Sequence, residues 1–240
     1  MLKKYNKLWV FGDSYTTPEF CVEPKESFWG ITGAMATTSI VNCSWPGSTF
    51  TSVFHMLINM QSQFDWKNDL FLIGIPPLER LTIFDNFKDT RYNSTIINSQ
   101  TWVSTQEEIS CHAGLAQIRG DEAQSMIVYE DRAWTETQTL SMIFLLTRWL
   151  GSVNANYMML NLSKPFDDNN IWGPSEFVLP YAINHPRCIL YTDTYYSINL
   201  NINKPADYDK YGWSGHHGAA GNQYYFEKSL LPKMQECNLI

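Results

Sequence analysis

The sequence predicts an α/β fold, a three-layer α/β/α sandwich around a central parallel sheet of about five strands. Three observations carry that expectation. Short runs rich in β-branched and aromatic residues recur along the chain, amphipathic stretches of helical spacing separate them, and the runs stop at turn-forming residues. Strands that alternate with helices pair in parallel, through right-handed crossovers.

The first strand is Leu8-Trp9-Val10-Phe11, apolar and uncharged, as a strand covered on both faces should be. It stops at Gly12-Asp13-Ser14. All three are turn formers, and they set a hydroxyl where the strand leaves the sheet. Further strands are expected at Ser39–Cys43, Asp69–Ile75, Asn156–Leu162 and Arg187–Thr192. Helices are expected at Glu26–Ala36, Thr49–Gln63, Thr135–Leu150 and Gly221–Met234. In the second of these, Phe50, Val53, Phe54, Leu57, Ile58 and Met60 keep to helical spacing. The third, "TETQTLSMIFLLTRWL", is the longest and apolar enough to lie against a sheet.

Five strands in this alternation make a flavodoxin-like sheet within one domain, residues 1–240. Two insertions exceed that plan. Residues 76–132 carry β-like patches around Leu81–Phe87 and Tyr92–Val103, and residues 165–186 ("DDNNIWGPSEF" within them) read as loop. Both leave from the carboxyl ends of predicted strands, so both overhang the edge where Ser14 stands. Open α/β sheets bind their ligands along that edge, and long excursions there are more often functional than idle.

Composition removes several function classes. A net charge of −7 without a Lys/Arg cluster argues against a nucleic-acid partner. No apolar run approaches the ~20 residues that span a bilayer, so no membrane insertion is expected. The run after Lys3, Lys4 and Lys7 is broken by Asp13 before it reaches the ~7–15 residues of a secretory signal, so synthesis in a cytoplasm is expected. The five cysteines (Cys21, Cys43, Cys111, Cys188 and Cys237) are odd in number, scattered and without a CxxC pair, which favours buried free thiols. Aromatic residues make up 15% of the chain, and many lie in polar segments such as "TDTYYSINLNINKPADYDKYGWSG". Rings among Asn and Asp suit a sugar-binding surface or an oligomer interface, and composition leaves both open.

Near the other end of the chain stands "YGWSGHHGAAGNQYYFEKSL". His216 there precedes a Gly-Ala-Ala-Gly turn that opens the last expected helix. In a sandwich of this topology that loop also reaches the carboxyl edge, so Ser14 and His216 can converge. With "VFGDSYT", "HHGAAGN" and "VNCSWPGST" in this order, the chain resembles the SGNH/GDSL hydrolase family. The three blocks span nearly the whole chain. The resemblance implies Ser14 as nucleophile, His216 as base and the backbone N–H groups of Ser14 and Gly47 as the oxyanion hole. It implies acyl esters or acetylated sugars as substrates. That chemistry is coherent: a serine needs a neighbouring base, an imidazole titrates near neutrality, and preorganised N–H donors stabilise developing charge.

Two positions depart from the family pattern. The family's Gly-x-Asn-Asp block falls on "IGIPPLER", which keeps Gly74 and places Pro76 where the oxyanion Asn belongs. Loss of one such donor costs ~10²–10³ in rate. Asn161 and Arg80 are the candidate replacements. The family's Asp three residues before the His falls on Trp213, and without an orienting carboxylate a triad loses ~10⁴ in kcat. Asp209 and Asp207 are the candidate carboxylates, Asp209 being the nearer; a main-chain carbonyl orienting the ring, in a Ser-His dyad, is the third arrangement. The expectation is therefore a serine esterase that deacylates a small-molecule or glycan ester, without cofactor or metal. The alternative is a catalytically silent SGNH-like subunit that binds glycan or builds a structure. The departures resemble those of divergent SGNH-like proteins encoded by phages, some of which belong to virions, so homo-oligomer and virion assembly are both open. Remaining candidates have plainer expected roles. Asp13 stabilises its turn, His55 is a helix residue, His112 and His185 lack metal-ligand partners, and Asp167–Asn170 is a solvated loop.

Overall fold

The computed structural model describes residues 4–17, 23–37, 39–45, 48–76, 80–84, 100–104, 109–110, 132–162, 185–189 and 218–240. Strand β1 (Leu8–Phe11) is followed by α1 (Phe28–Ala36), β2 (Ile40–Asn42), α2 (Phe50–Met60) and β3 (Leu70–Ile75). An antiparallel excursion of β4 (Arg80–Phe84), β5 (Gln100–Ser104) and β6 (Ile109–Ser110) comes next. Helix α3 (Arg132–Ser152) then returns the chain to β7 (Asn156–Asn161) and β8 (Cys188–Ile189). Helix α4 (Ala219–Tyr225) passes through a π-helical turn, Phe226–Leu230, into α5 (Leu231–Glu236).

The main sheet has the order β2-β1-β3-β7-β8 with every pairing parallel, the five-stranded sheet expected from the sequence. Its winding reverses beside β1: the chain moves outward to β2 and then crosses back to β3 on the other side. In open α/β sheets such a reversal marks where ligands bind, here the carboxyl ends of β1 and β3. Side chains alternate between two cores, one on each face. Leu8, Val10, Leu72, Met158 and Leu160 point to one face and pack with Phe28, Trp29, Tyr225, Phe226, Leu230 and Met234 of α1 and the C-terminal helices. Trp9, Phe11, Phe71, Ile73, Tyr157 and Met159 point to the other, against Phe50, Val53 and Leu57 of α2 and Leu140, Ile143, Leu146 and Leu150 of α3. These are the three layers. Each β1 side chain is buried, and each fully buried large apolar side chain contributes about 1.5–3 kcal/mol relative to exposure.

Capping explains where the helices begin. The Ser27 hydroxyl accepts from the Gly30 N–H (3.0 Å), and the Thr49 hydroxyl accepts from the Ser52 N–H (3.2 Å). Thr49 is thus the cap of its helix and not its first turn, and α1 opens at Phe28, after a 3-10 turn at Pro24–Glu26. Strand β2 is shorter than expected, yet the Cys43 N–H still donates to the Val10 carbonyl (2.7 Å) and extends the pairing toward the carboxyl edge. In the first insertion, β4 and β5 cover the described parts of the two β-like patches and pair from Arg80↔Ser104 to Phe84↔Gln100; residues 85–87 and 92–99 of those patches lie outside the described residues. Residues 165–184 of the second insertion and residues 190–192 of the last expected strand lie outside the described residues. Among the described residues no helix is long and apolar enough to cross a membrane, and Cys43, Cys188 and Cys237 are free thiols.

Candidate active site

Ser14 stands just past the carboxyl end of β1, beside the reversal in strand order, in a loop held by a set of short hydrogen bonds. Gly12 leaves the strand at φ +157°, which L side chains rarely adopt, and a Cβ there would overlap the Thr16 hydroxyl. Gly74, at the same level of β3, is equally confined: a Cβ would meet the Leu162 side chain and, at 3.1 Å, the Phe11 carbonyl. The Asp13 side chain accepts from the Tyr15 N–H (3.0 Å), the Asx turn expected of it, and Asp13 is fully buried.

The Asp13 carbonyl is the focus of the loop. It accepts from the Thr16 N–H (3.0 Å), the Thr16 hydroxyl (2.9 Å) and the Thr17 hydroxyl (2.8 Å). Thr16 and Thr17 are themselves buried. No cis peptide occurs among the described residues, and in a trans peptide the C=O and the next N–H point in opposite directions. With its carbonyl turned toward the two threonines, the Asp13–Ser14 peptide directs the Ser14 N–H the other way. Ser14 itself is half-buried, within reach of solvent.

The end of β2 braces this loop. Asn42 donates from its side-chain amide to the Thr16 carbonyl (2.7 Å) and accepts from the Ser44 N–H (2.9 Å). The Trp45 N–H donates to the Gly12 carbonyl (3.2 Å), which fixes Trp45 beside the Ser14 loop, while its residue surface is 53% exposed. Burial pushes the Cys43 thiol up to about 11, so near neutrality it stays protonated and is a poor nucleophile.

Of the remaining expected site residues, Gly47, His216, Asp207 and Asp209 lie outside the described residues. Pro76 is buried directly after β3, where it offers no N–H. Asn161 ends β7 in register with Ile75, is 2% exposed, and shares its strand face with Tyr157 and Met159. It therefore stands one strand away from β3, at the same edge as Pro76. Arg80 opens β4. The segment that follows His216 is anchored at its far end. Asn222 donates from its side chain to the Gly218 carbonyl (3.1 Å) and accepts from the Phe28 N–H (3.2 Å), tying the start of α4 to the start of α1. Thr16, Thr17, Asn42, Trp45 and Asn222 were not singled out from the sequence. Only the adjacent hydroxyls of "SYTT" carried a local signal, since Ser and Thr side chains after an Asp readily bond to nearby backbone.

No protein-family model matches the chain, and no curated protein matches it. Solved structures do. One is a member of the lipolytic protein G-D-S-L family from Veillonella parvula, 12% identical, with a TM-score of 0.44 over 94% of this chain and 96% of the other. Another is a carbohydrate esterase whose active site displays divergent catalytic and non-catalytic binding functions. It is 13% identical, with a TM-score of 0.46 over 98% of this chain and 70% of the other. The first belongs to the family that the sequence motifs resemble.

Proposed function

We propose that the protein is a serine esterase of SGNH type that deacylates an acylated carbohydrate. Ser14 Oγ attacks the ester carbonyl carbon while a His216 ring nitrogen takes its proton. The oxyanion of the tetrahedral intermediate is held by the N–H groups of Ser14 and Gly47. Collapse breaks the C–O bond, and His216 returns the proton to the leaving sugar oxygen. A water, deprotonated by the same imidazole, then hydrolyses the acyl-serine and regenerates Ser14. One observation carries the reading: a half-buried serine just past the carboxyl end of β1, with its own N–H turned away from the buried threonines that hold the preceding carbonyl.

Trp45 supports the carbohydrate part. An exposed indole held beside the nucleophile loop offers a flat apolar face for the C–H face of a sugar ring. A second reading, a subunit that binds glycan without turning it over, is favoured by Pro76, which supplies no donor where the family pattern has Asn. Hydrolysis of 4-nitrophenyl acetate and of a peracetylated sugar separates the two. The esterase reading expects Ser14→Ala and His216→Ala to abolish both activities, and Trp45→Ala to raise KM for the sugar ester alone. Equal hydrolysis by wild type and both site variants would leave the second reading standing.

A further inference from the structure

We infer that Thr16 and Thr17 are positioning residues whose hydroxyls aim the Ser14 N–H at the oxyanion. The inference rests on the esterase reading for its functional consequence, and on the loop geometry for its structural one. An oxyanion donor works by being fixed in direction before charge develops, so that no reorganisation is required in the transition state. The Ser14 N–H belongs to a rigid plane whose other polar end is the Asp13 carbonyl. Rotating that plane redirects the N–H, and three donors oppose such rotation: the Thr16 N–H at 3.0 Å, the Thr16 hydroxyl at 2.9 Å and the Thr17 hydroxyl at 2.8 Å.

The two hydroxyls are not surface ornaments. Thr16 is 1% and Thr17 4% exposed, so water does not replace either bond if it is removed. The framework behind them is also closed. The Thr16 carbonyl is gripped by Asn42, and the Thr16 side chain lies against the position where a Gly12 Cβ would stand. Gly12, Asn42 and the two threonines thus form one unit that determines a single peptide plane. Asp13 contributes to the other side of the loop by accepting from the Tyr15 N–H through its side chain.

The test uses Thr17→Val, which keeps shape and removes the hydroxyl, Thr17→Ser, which restores it, and Thr16→Val. Each is reacted with a 4-nitrophenyl phosphonate ester, whose tetrahedral phosphoryl oxygen occupies the oxyanion position, and Ser14 labelling is followed by intact mass. The crystal structure of Thr17→Val is determined alongside. Thr17→Val should label on the order of tenfold more slowly, short of the ~10²–10³ that deletion of a donor costs, with KM for 4-nitrophenyl acetate and its pH profile unchanged. Thr17→Ser should label at the wild-type rate, and the Asp13–Ser14 peptide of Thr17→Val should be rotated. Labelling of Thr17→Val at the wild-type rate overturns the inference while leaving Ser14 a nucleophile. Absence of labelling in the wild type overturns the esterase reading instead; the peptide plane of Thr17→Val then decides, and an unrotated plane overturns the positioning role. If Thr17→Val does not fold, Thr16→Val, which keeps the Thr16 N–H bond, carries the same comparisons.

Discussion

Gly12 concentrates two constraints at one Cα: a backbone angle that favours glycine, and a space already filled by Thr16. Gly12→Ala must both strain the turn and push the Thr16 hydroxyl off the Asp13 carbonyl. Holding a non-glycine residue in such a conformation costs of order 1–3 kcal/mol, and urea denaturation of Gly12→Ala should show a loss in that range. The same variant should lose esterase activity well beyond what its folded fraction explains, since the Ser14 N–H moves with the loop. Activity in proportion to the folded fraction would mean the turn is structural only. Ser14 was legible at this scale because Gly-Asp-Ser after an apolar run is a local pattern. The direction of its N–H was not legible, because it is set by bonds from Thr16 and Thr17, two and three positions away, and by Asn42, which comes from another strand.

The elements themselves were legible through their periodicity. Leu8–Phe11 reads as a strand buried on both faces, and every one of its side chains is buried. Sheet order was legible only by analogy with other alternating folds, since register depends on partners far along the chain, such as Leu8 with Leu70 and Leu70 with Asn156. Ends were less readable. Thr49 looks helical in sequence but spends its hydroxyl on a cap, and the π-helical turn at Phe226–Leu230 has no periodic signature. Because the sheet divides the interior, the two cores should respond independently. Ile143 belongs to the α2–α3 side and Ile189 to the α1–α5 side. Ile143→Val and Ile189→Val should each cost about 0.5–1.5 kcal/mol. The double variant should equal their sum to within about 0.5 kcal/mol. A larger coupling in a double-mutant cycle would mean the sheet transmits packing changes from face to face.

For the molecule as a whole, acid sensitivity should originate at the edge of the sheet away from Ser14. His185, which precedes β8, stacks on Tyr157 and accepts from the Arg187 N–H through Nδ1 (3.3 Å). Burial, then the charges of Arg187 and Arg148, hold its imidazole below the ordinary 6.5. The unfolded chain therefore binds a proton on this residue at a higher pH than the folded one does. Its contribution to stability is complete above about pH 6.5 and is lost as pH falls from there through the folded value. Denaturation midpoints at about pH 7.5 and 5 should converge in His185→Gln relative to wild type; an unchanged gap would assign the acid sensitivity to other groups. A last consequence concerns synthesis. The Tyr5 hydroxyl donates to the Leu239 carbonyl (2.7 Å), and Tyr225, Phe226, Leu230 and Met234 roof the sheet face that Leu8 and Val10 present. A nascent chain leaves the ribosome with β1 first and its roof last. The strand that carries Ser14 must wait, half its surface bare, until the segment through Leu239 has emerged. The loop that carries Ser14 therefore rests on a finished sheet face only when translation of this stretch is complete, and in the interval the uncovered strand is the part of the chain a chaperone would hold.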